Sequence, residues 1–202
     1  MEEVKIGNQI WMKQNLDVVT FRNGDSILQA TSYPQWSEAI QSKQPCWCYY
    51  DYDAANGEKW GKLYNWYAVN DPRGLAPEGW HVPSDNEWDL LADFLGGAEI
   101  AGDKMKMTNV WEGYDETNDD GEPTGEFRID DATNESGFSA YPSGGNTYHG
   151  LCISSDDRCY WWSTSKDEDD DPMYRLIYAT YSDLDKSGST ECRGASVRCL
   201  KD

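Results

Sequence analysis

Residues 79–97 read GWHVPSDNEWDLLADFLGG, and no other stretch of the chain is punctuated so sharply. Ser84 precedes Glu87 in the S-x-x-E spacing of a capping box, with Ser84 as N-cap and Glu87 at N3. Trp88, Leu91 and Leu95 fall on one helical stripe, flanked by Leu90 and Phe94. Gly96-Gly97 supplies the left-handed exit that ends a helix. The pattern predicts a capped helix that buries its stripe. Capping accounts for the Glu87 carboxylate, so this helix is framework and not a reactive site.

Upstream, Val4–Met12 holds two apolar runs around Gly7-Asn8, the pattern of a hairpin. A short helix is expected around Trp36–Ile40, and Cys46–Tyr52 reads as an aromatic strand ended by Ala54-Ala-Asn-Gly57. Leu63, Trp66 and Tyr67 recur at helical spacing and predict a helix over Leu63–Asn70, stopped by Asp71-Pro-Arg-Gly74. Downstream, residues 112–137 are dominated by Asp, Glu, Asn, Gly and Thr and read as a long loop. Strands are then expected at Phe138–Pro142, Tyr160–Ser163, Met173–Tyr181 and Ala195–Leu200. Helices early and strands late indicate one α+β domain over residues 1–202.

Composition narrows the function. Only 38% of the 202 residues are apolar, but 10 Trp and 13 Tyr supply a large burial per side chain, so the core should be aromatic. The net charge of −20 repels nucleic-acid phosphate and anionic lipid. No apolar run is long enough for a membrane span, and MEEVKIGNQIWMKQNLD lacks the apolar core of an export signal.

Catalytic motifs are absent: there is no GxSxG, HExxH or phosphate-cradling glycine loop. His81 precedes the capped helix and reads as structural; His149 sits in a Gly/Tyr loop without a visible nucleophile. The six cysteines (46, 48, 152, 159, 192 and 199) suit disulfides by their even number, and their spacings lack the CxxC knuckle of a zinc site. Copper or thiol redox chemistry at the cysteines is a weaker alternative, and the expectation is no cofactor, with calcium the candidate if one is bound. Asp183-Leu-Asp185-Lys-Ser187-Gly188 places oxygens at alternate positions before a glycine, although the twelfth position is Gly194 and not the Glu of an EF-hand. Asp115, Thr117, Asp119 and Glu126 form a poorer match, because Gly121 comes one place late.

Residues 173–194, MYRLIYATYSDLDKSGSTECRG, carry the strongest binding signal. Period two in the strand puts Arg175, Ile177 and Ala179 on one face, and an arginine there suggests that this face meets water. An outward Ile beside Arg, followed by Tyr181, Ser182 and Asp183, suits a contact surface. The alternative is an outer face covered by the acidic loop.

Five segments resemble a known family: VKIGNQIWMKQNL at 4–16, WGKLYNWYAVNDPRGLAPEGWHVPSDNEW at 60–88, GFSAYPSGG at 137–145, YWWSTS at 160–165 and ASVRCLKD at 195–202. They are similar to the Fibrobacter succinogenes major paralogous domain, which is common in surface and secreted proteins of Bacteroidetes-type bacteria. The middle segment also resembles the RLPTEAEWE helix of formylglycine-generating enzymes, whose fold is C-type-lectin-like. The resemblance implies that fold: two helices packed on small twisted antiparallel sheets, with the chain ends close together. It also implies an extracellular or cell-surface location. Relatives often carry Cys where this chain has Ala76, so a bridge from there to Cys199 is not available.

The region between Trp162 and Val197 further resembles variable proteins of diversity-generating retroelements, whose framework brackets mutable positions. The expectation is therefore a non-enzymatic display scaffold that recognises a protein or glycan through residues 165–194. The candidate contacts are Arg175, Ile177, Ala179, Tyr181, Ser182, Asp183, Asp185, Ser187 and Arg193, with Asp183, Asp185 and Ser187 as calcium ligands. Two alternatives stand beside it, a cysteine oxidase of the formylglycine-generating type and a purely structural surface module.

Overall fold

A computed structural model describes residues 2–111, 114–117, 123–128, 131–147, 150–153, 157–188 and 194–202. The chain opens with β1 (Glu3–Ile6) and β2 (Gln9–Met12), the expected hairpin, with Gly7 at φ 60° in its turn. It continues through β3 (Leu28–Gln29), α1 (Tyr33–Gln41), β4 (Cys46–Cys48), α2 (Ala54–Trp60), β5 (Leu63–Tyr64) and α3 (Trp66–Val69). Then come β6 (Trp80–His81), α4 (Asp85–Phe94), α5 (Ala98–Met105), β7 (Tyr114–Thr117) and β8 (Pro123–Arg128). The last elements are β9 (Gly145–Asn146), β10 (Cys152–Ile153), β11 (Arg158–Lys166), β12 (Pro172–Tyr178), β13 (Asp185–Gly188) and β14 (Leu200–Lys201). The fold is α+β, and its arrangement is compatible with a C-type-lectin-like one.

Helix α4 is the one the 79–97 stretch predicts. The Glu87 carboxylate turns back to accept the Ser84 backbone N–H at 2.8 Å and the Ser84 hydroxyl at 2.7 Å. Trp88 and Leu91 are fully buried beneath it. Other boundaries differ from the sequence pattern. Over Leu63–Asn70 only Trp66–Val69 is helical, because Leu63 and Tyr64 pair with Cys48 and Trp47 as a strand. Asn65 then caps the short helix by accepting the Ala68 N–H at 3.0 Å. The Ala54-Ala-Asn-Gly stretch opens α2, capped by Asp53 on the Ala55 N–H at 2.9 Å. Residues 112–137 contain the hairpin β7–β8, and α2 and α5 had no expected counterpart, so the described residues hold five α-helices where the resemblance implied two. Phe138–Pro142 is no strand, and only Ala140 bridges, to Lys106. Chain ends meet in the sheet β1-β2-β14-β6, where the Lys201 ammonium lies 2.8 Å from the Glu3 carboxylate.

A second sheet, β11-β12-β13, decides where function can lie. Its strands β11 and β12 form a wall between two aromatic cores. Tyr160, Trp162, Tyr174 and Leu176 face one core, with Trp47, Tyr64 and Trp66. Cys159, Trp161, Ile177 and Ala179 face the other, with Trp11, Trp88, Phe138 and Met105. Trp11 packs against Trp88 with centroids 4.7 Å apart and the rings tilted by 43°, and Phe138 meets Trp161 edge-on at 5.5 Å. Each fully buried indole removes roughly 150–250 Å² from water, a gross gain of about 4–6 kcal/mol before entropy is counted. A third, smaller core gathers Trp36, Ile40, Cys46, Cys48 and Leu63.

Candidate functional site

The double burial of β12 corrects the outward reading of its Arg175 face. Arg175 and Ala179 are buried and Ile177 is 0% exposed, because α4 and α5 cover the face assigned to solvent. Arg175 lies beneath α4 as a fastener. Its Nη2 donates to the Asp85 carboxylate, to the Asp85 carbonyl at 3.1 Å and to the Asp89 carboxylate at 2.9 Å. Both acids lie near the positive N-terminal end of α4, so the pairing also suits the helix dipole. These three residues hold the frame and offer nothing to a ligand.

The accessible remainder begins where β12 ends. Tyr181 is 59% exposed, and its ring stands at 90° to Tyr178 with centroids 5.8 Å apart. Arg158 completes the patch, with its guanidinium 5.0 Å from the Tyr178 ring and forked onto the Asp157 carboxylate at 2.8 and 2.7 Å. Ser182 and Asp183 are partly exposed beside them, and Asp185 and Ser187 are open to solvent on β13.

Helix α5 holds this patch in place. Lys106, 1% exposed, directs its ammonium to the carbonyls of Ala179 and Tyr181 at 3.1 and 2.9 Å, and to the Asp103 carboxylate at 2.9 Å. The Asp103 N–H donates to the Ser182 carbonyl, and the Leu184 N–H donates to the Ala98 carbonyl. Gly102 makes the approach possible, since a Cβ there would lie 2.4 Å from the Asp183 carbonyl oxygen. A segment fixed at both edges loses little freedom when it binds. Neither Lys106 nor α5 was found by sequence reasoning, since a lysine after AEIAGDKM reads as solvent-facing. The one signal was Gly102 inside a helical run, the mark of close backbone approach.

Of the three residues expected as calcium ligands, Asp185 and Ser187 stand on strand β13, paired with Leu176 and Tyr174 of β12. Burial and the nearby Asp183 charge push the Asp185 carboxyl above its ordinary pKa. No group of three metal-ligating side chains lies together among the described residues. Arg193, Cys192, His149 and the side chains of Asp115, Thr117, Asp119 and Glu126 fall outside the described residues.

Cys46, Cys48, Cys152, Cys159 and Cys199 are free thiols. Burial pushes Cys46 and Cys199 up to about 12, and Cys48 and Cys159 well above their ordinary value. Ala76 lies with Cys199 in the same core. His81 touches two carboxylates, Asp202 at Nδ1 (2.8 Å) and Glu87 at Nε2 (2.9 Å).

Fold and surface together define an α+β domain with an aromatic core and a clamped tyrosine patch. Residues 4–201 match the model of the Fibrobacter succinogenes major domain, and the chain belongs to that family. No curated protein and no solved structure matches it. No helix among the described residues is long and apolar enough to cross a membrane.

Proposed function

We propose that this domain is a non-enzymatic recognition module, displayed at the cell surface or outside the cell, whose contact patch for a protein or glycan is centred on Tyr181. The observation that carries the reading is the pairing of an exposed aromatic ring with a buried clamp: Tyr181 is 59% exposed while its own carbonyl is held by the buried Lys106. A rigid amphipathic ring gives contact area at low entropic cost, and Ser182 and Asp183 add polar contacts beside it. Burial holds the Cys46, Cys48, Cys159 and Cys199 thiols above their ordinary pKa, which disfavours the reactive thiolate there and supports a non-catalytic role for these four. The lectin-like resemblance points the same way. A reverse transcriptase gene beside a near-copy of the C-terminal coding region would make the patch a variable one.

The test combines a glycan array with selection of displayed random peptides against the intact domain. Binders should be lost from the Tyr181→Ser, Asp183→Ser, Asp185→Ser triple variant while its melting temperature is kept. Binders that persist on the folded variant would remove this patch from consideration, and a domain that selects nothing in either screen would favour the purely structural module.

A further inference from the structure

The buried cysteines are divided among the three cores. Cys199 lies in the first and Cys159 in the second, while Cys46 and Cys48 share the third. Cys46 and Cys48 stand two apart on β4 and point to one side of it, with Trp47 turned into the first core. Their sulfurs have different neighbours. The Asn65 Nδ2 donates to the Cys46 sulfur at 3.1 Å, whereas the Asn146 Nδ2 donates to the Cys48 sulfur at 3.0 Å.

Asn146 leads from Cys48 to Cys152. Asn146 and Cys152 are direct partners in the antiparallel pair β9–β10. Their side chains therefore leave the same face, with Cβ atoms about 4.5–5.5 Å apart. The amide that touches Cys48 is thus the cross-strand neighbour of Cys152. A separate contact reports the same neighbourhood: the Cys152 sulfur accepts the backbone N–H of Asp51 at 3.0 Å, and Asp51 follows closely after Cys48 in the chain. The approach is fixed by Tyr52, whose hydroxyl donates to the Gly150 carbonyl at 2.8 Å. Gly150 has φ 74°, and a Cβ there would lie 2.6 Å from the Tyr52 hydroxyl and 2.9 Å from Trp36 Cδ1. Burial, with the nearby Cys46 and Cys152 sulfurs, pushes the Cys48 thiol well above its ordinary pKa. Access to the two sulfurs differs. Cys48 is 0% exposed, whereas Cys152 is partly exposed.

We infer that Cys48 and Cys152 are a disulfide-forming pair, with Cys152 the point at which a low-molecular-weight disulfide such as oxidised glutathione enters. Cys152 gives up its proton and its thiolate attacks one glutathione sulfur. The glutathione S–S bond breaks, a mixed disulfide forms, and one glutathione thiolate leaves and is protonated. Cys48 then loses its proton and attacks the Cys152 sulfur, expelling the second glutathione in the same way. Two protein thiols are oxidised and one glutathione disulfide is reduced to two thiols. The new bond staples β4 to β10 and closes a loop of about a hundred residues. It suits the oxidising surroundings of a surface or secreted protein, and it involves no residue of the Tyr181 patch, so the two readings fail separately.

The experiment exposes the reduced, folded chain to oxidised glutathione, blocks the remaining thiols with iodoacetamide and maps tryptic peptides without reduction. Trypsin places Cys152, Cys159, Cys192 and Cys199 in four different peptides and leaves Cys46 and Cys48 together in residues 44–59. Peptide 44–59 should be recovered joined to peptide 129–158, which carries Cys152. Cys152→Ser and Cys48→Ala should each abolish the link, and Cys46→Ala should keep it. The oxidised chain should melt at least about 4 °C above the reduced one, and Cys152→Ser, at a partly exposed position, should fold and show no such gain. A link that survives Cys48→Ala, a Cys152 joined to any other peptide, or a Cys152 that stops at the glutathione adduct or fails to react would each overturn the inference.

Discussion

Replacing Lys106 by Met tests whether the contact patch is pre-ordered. Methionine keeps the length and apolar stem of the side chain, so packing against Trp111, whose ring centroid lies 5.7 Å from the ammonium, is largely retained. Lost are three hydrogen bonds from a group that is 1% exposed. The carbonyls of Ala179 and Tyr181 and the Asp103 carboxylate are left without their cation. Removing one member of a buried charged pair costs about 3–5 kcal/mol. Asp103, with 18% of its side chain exposed, can partly rehydrate, so the lower end applies, about 3 kcal/mol. For a chain of this size, about 2–4 °C per kcal/mol gives a fall in melting temperature of roughly 6–12 °C. Hydrogen exchange should locate the damage at the Asp103 and Leu184 amides, which bond the patch to α5. Adding Asp103→Asn removes the stranded charge and should recover part of the loss. A shift under about 2 °C with unchanged protection at both amides would refute the clamp.

Gly102→Ala places a Cβ 2.4 Å from the Asp183 carbonyl and 2.7 Å from that of Ser182, both backbone atoms. Alanine's better helix propensity, worth about 1 kcal/mol, should be outweighed by an overpacking cost of about 1–3 kcal/mol, read as a lower melting temperature; a stabilised variant would contradict the close approach. His81 gives a pH signature. Burial alone would lower its pKa from 6.5, but the hydrogen bonds to Asp202 and Glu87 raise it. Its contribution is therefore complete below pH 6.5 and is lost as pH rises through the higher folded value. Glu87 behaves oppositely. Burial would raise its pKa from 4.5, but the bonds from Ser84 and His81 lower it, so its contribution is lost as pH falls below 4.5. Melting temperature should peak between these limits, and His81→Gln should flatten the alkaline side. The change should stay under about 1 kcal/mol because the site is partly exposed, and an unaltered profile in the variant would dismiss the network.

Local signals survived folding where the physics was local. The α4 capping box, the Gly7 turn and the aromatic composition of the core all depend on neighbours in sequence or on side-chain chemistry alone. The 63–70 pattern misled because helical spacing of Leu63, Trp66 and Tyr67 cannot report that Leu63 and Tyr64 are claimed by β4. Arg175 misled more deeply. An arginine in a strand ordinarily marks the wet face, yet here two acids on a helix 86–90 positions away in sequence make a dry one tolerable.

By itself, the amino-acid sequence determined the α+β class, the central capped helix and a core built on indole rings, since each follows from composition or short-range spacing, while the family was legible only as a resemblance of whole segments. Tertiary structure alone decided which of the described residues between 165 and 188 meet solvent. Covering both faces of β12 removed Arg175, Ile177 and Ala179 from the surface, and docking α5 against residues 179–184 left Tyr181 standing out. Strand periodicity assigns residues to two faces, but only the packing of the rest of the chain says whether either face is wet.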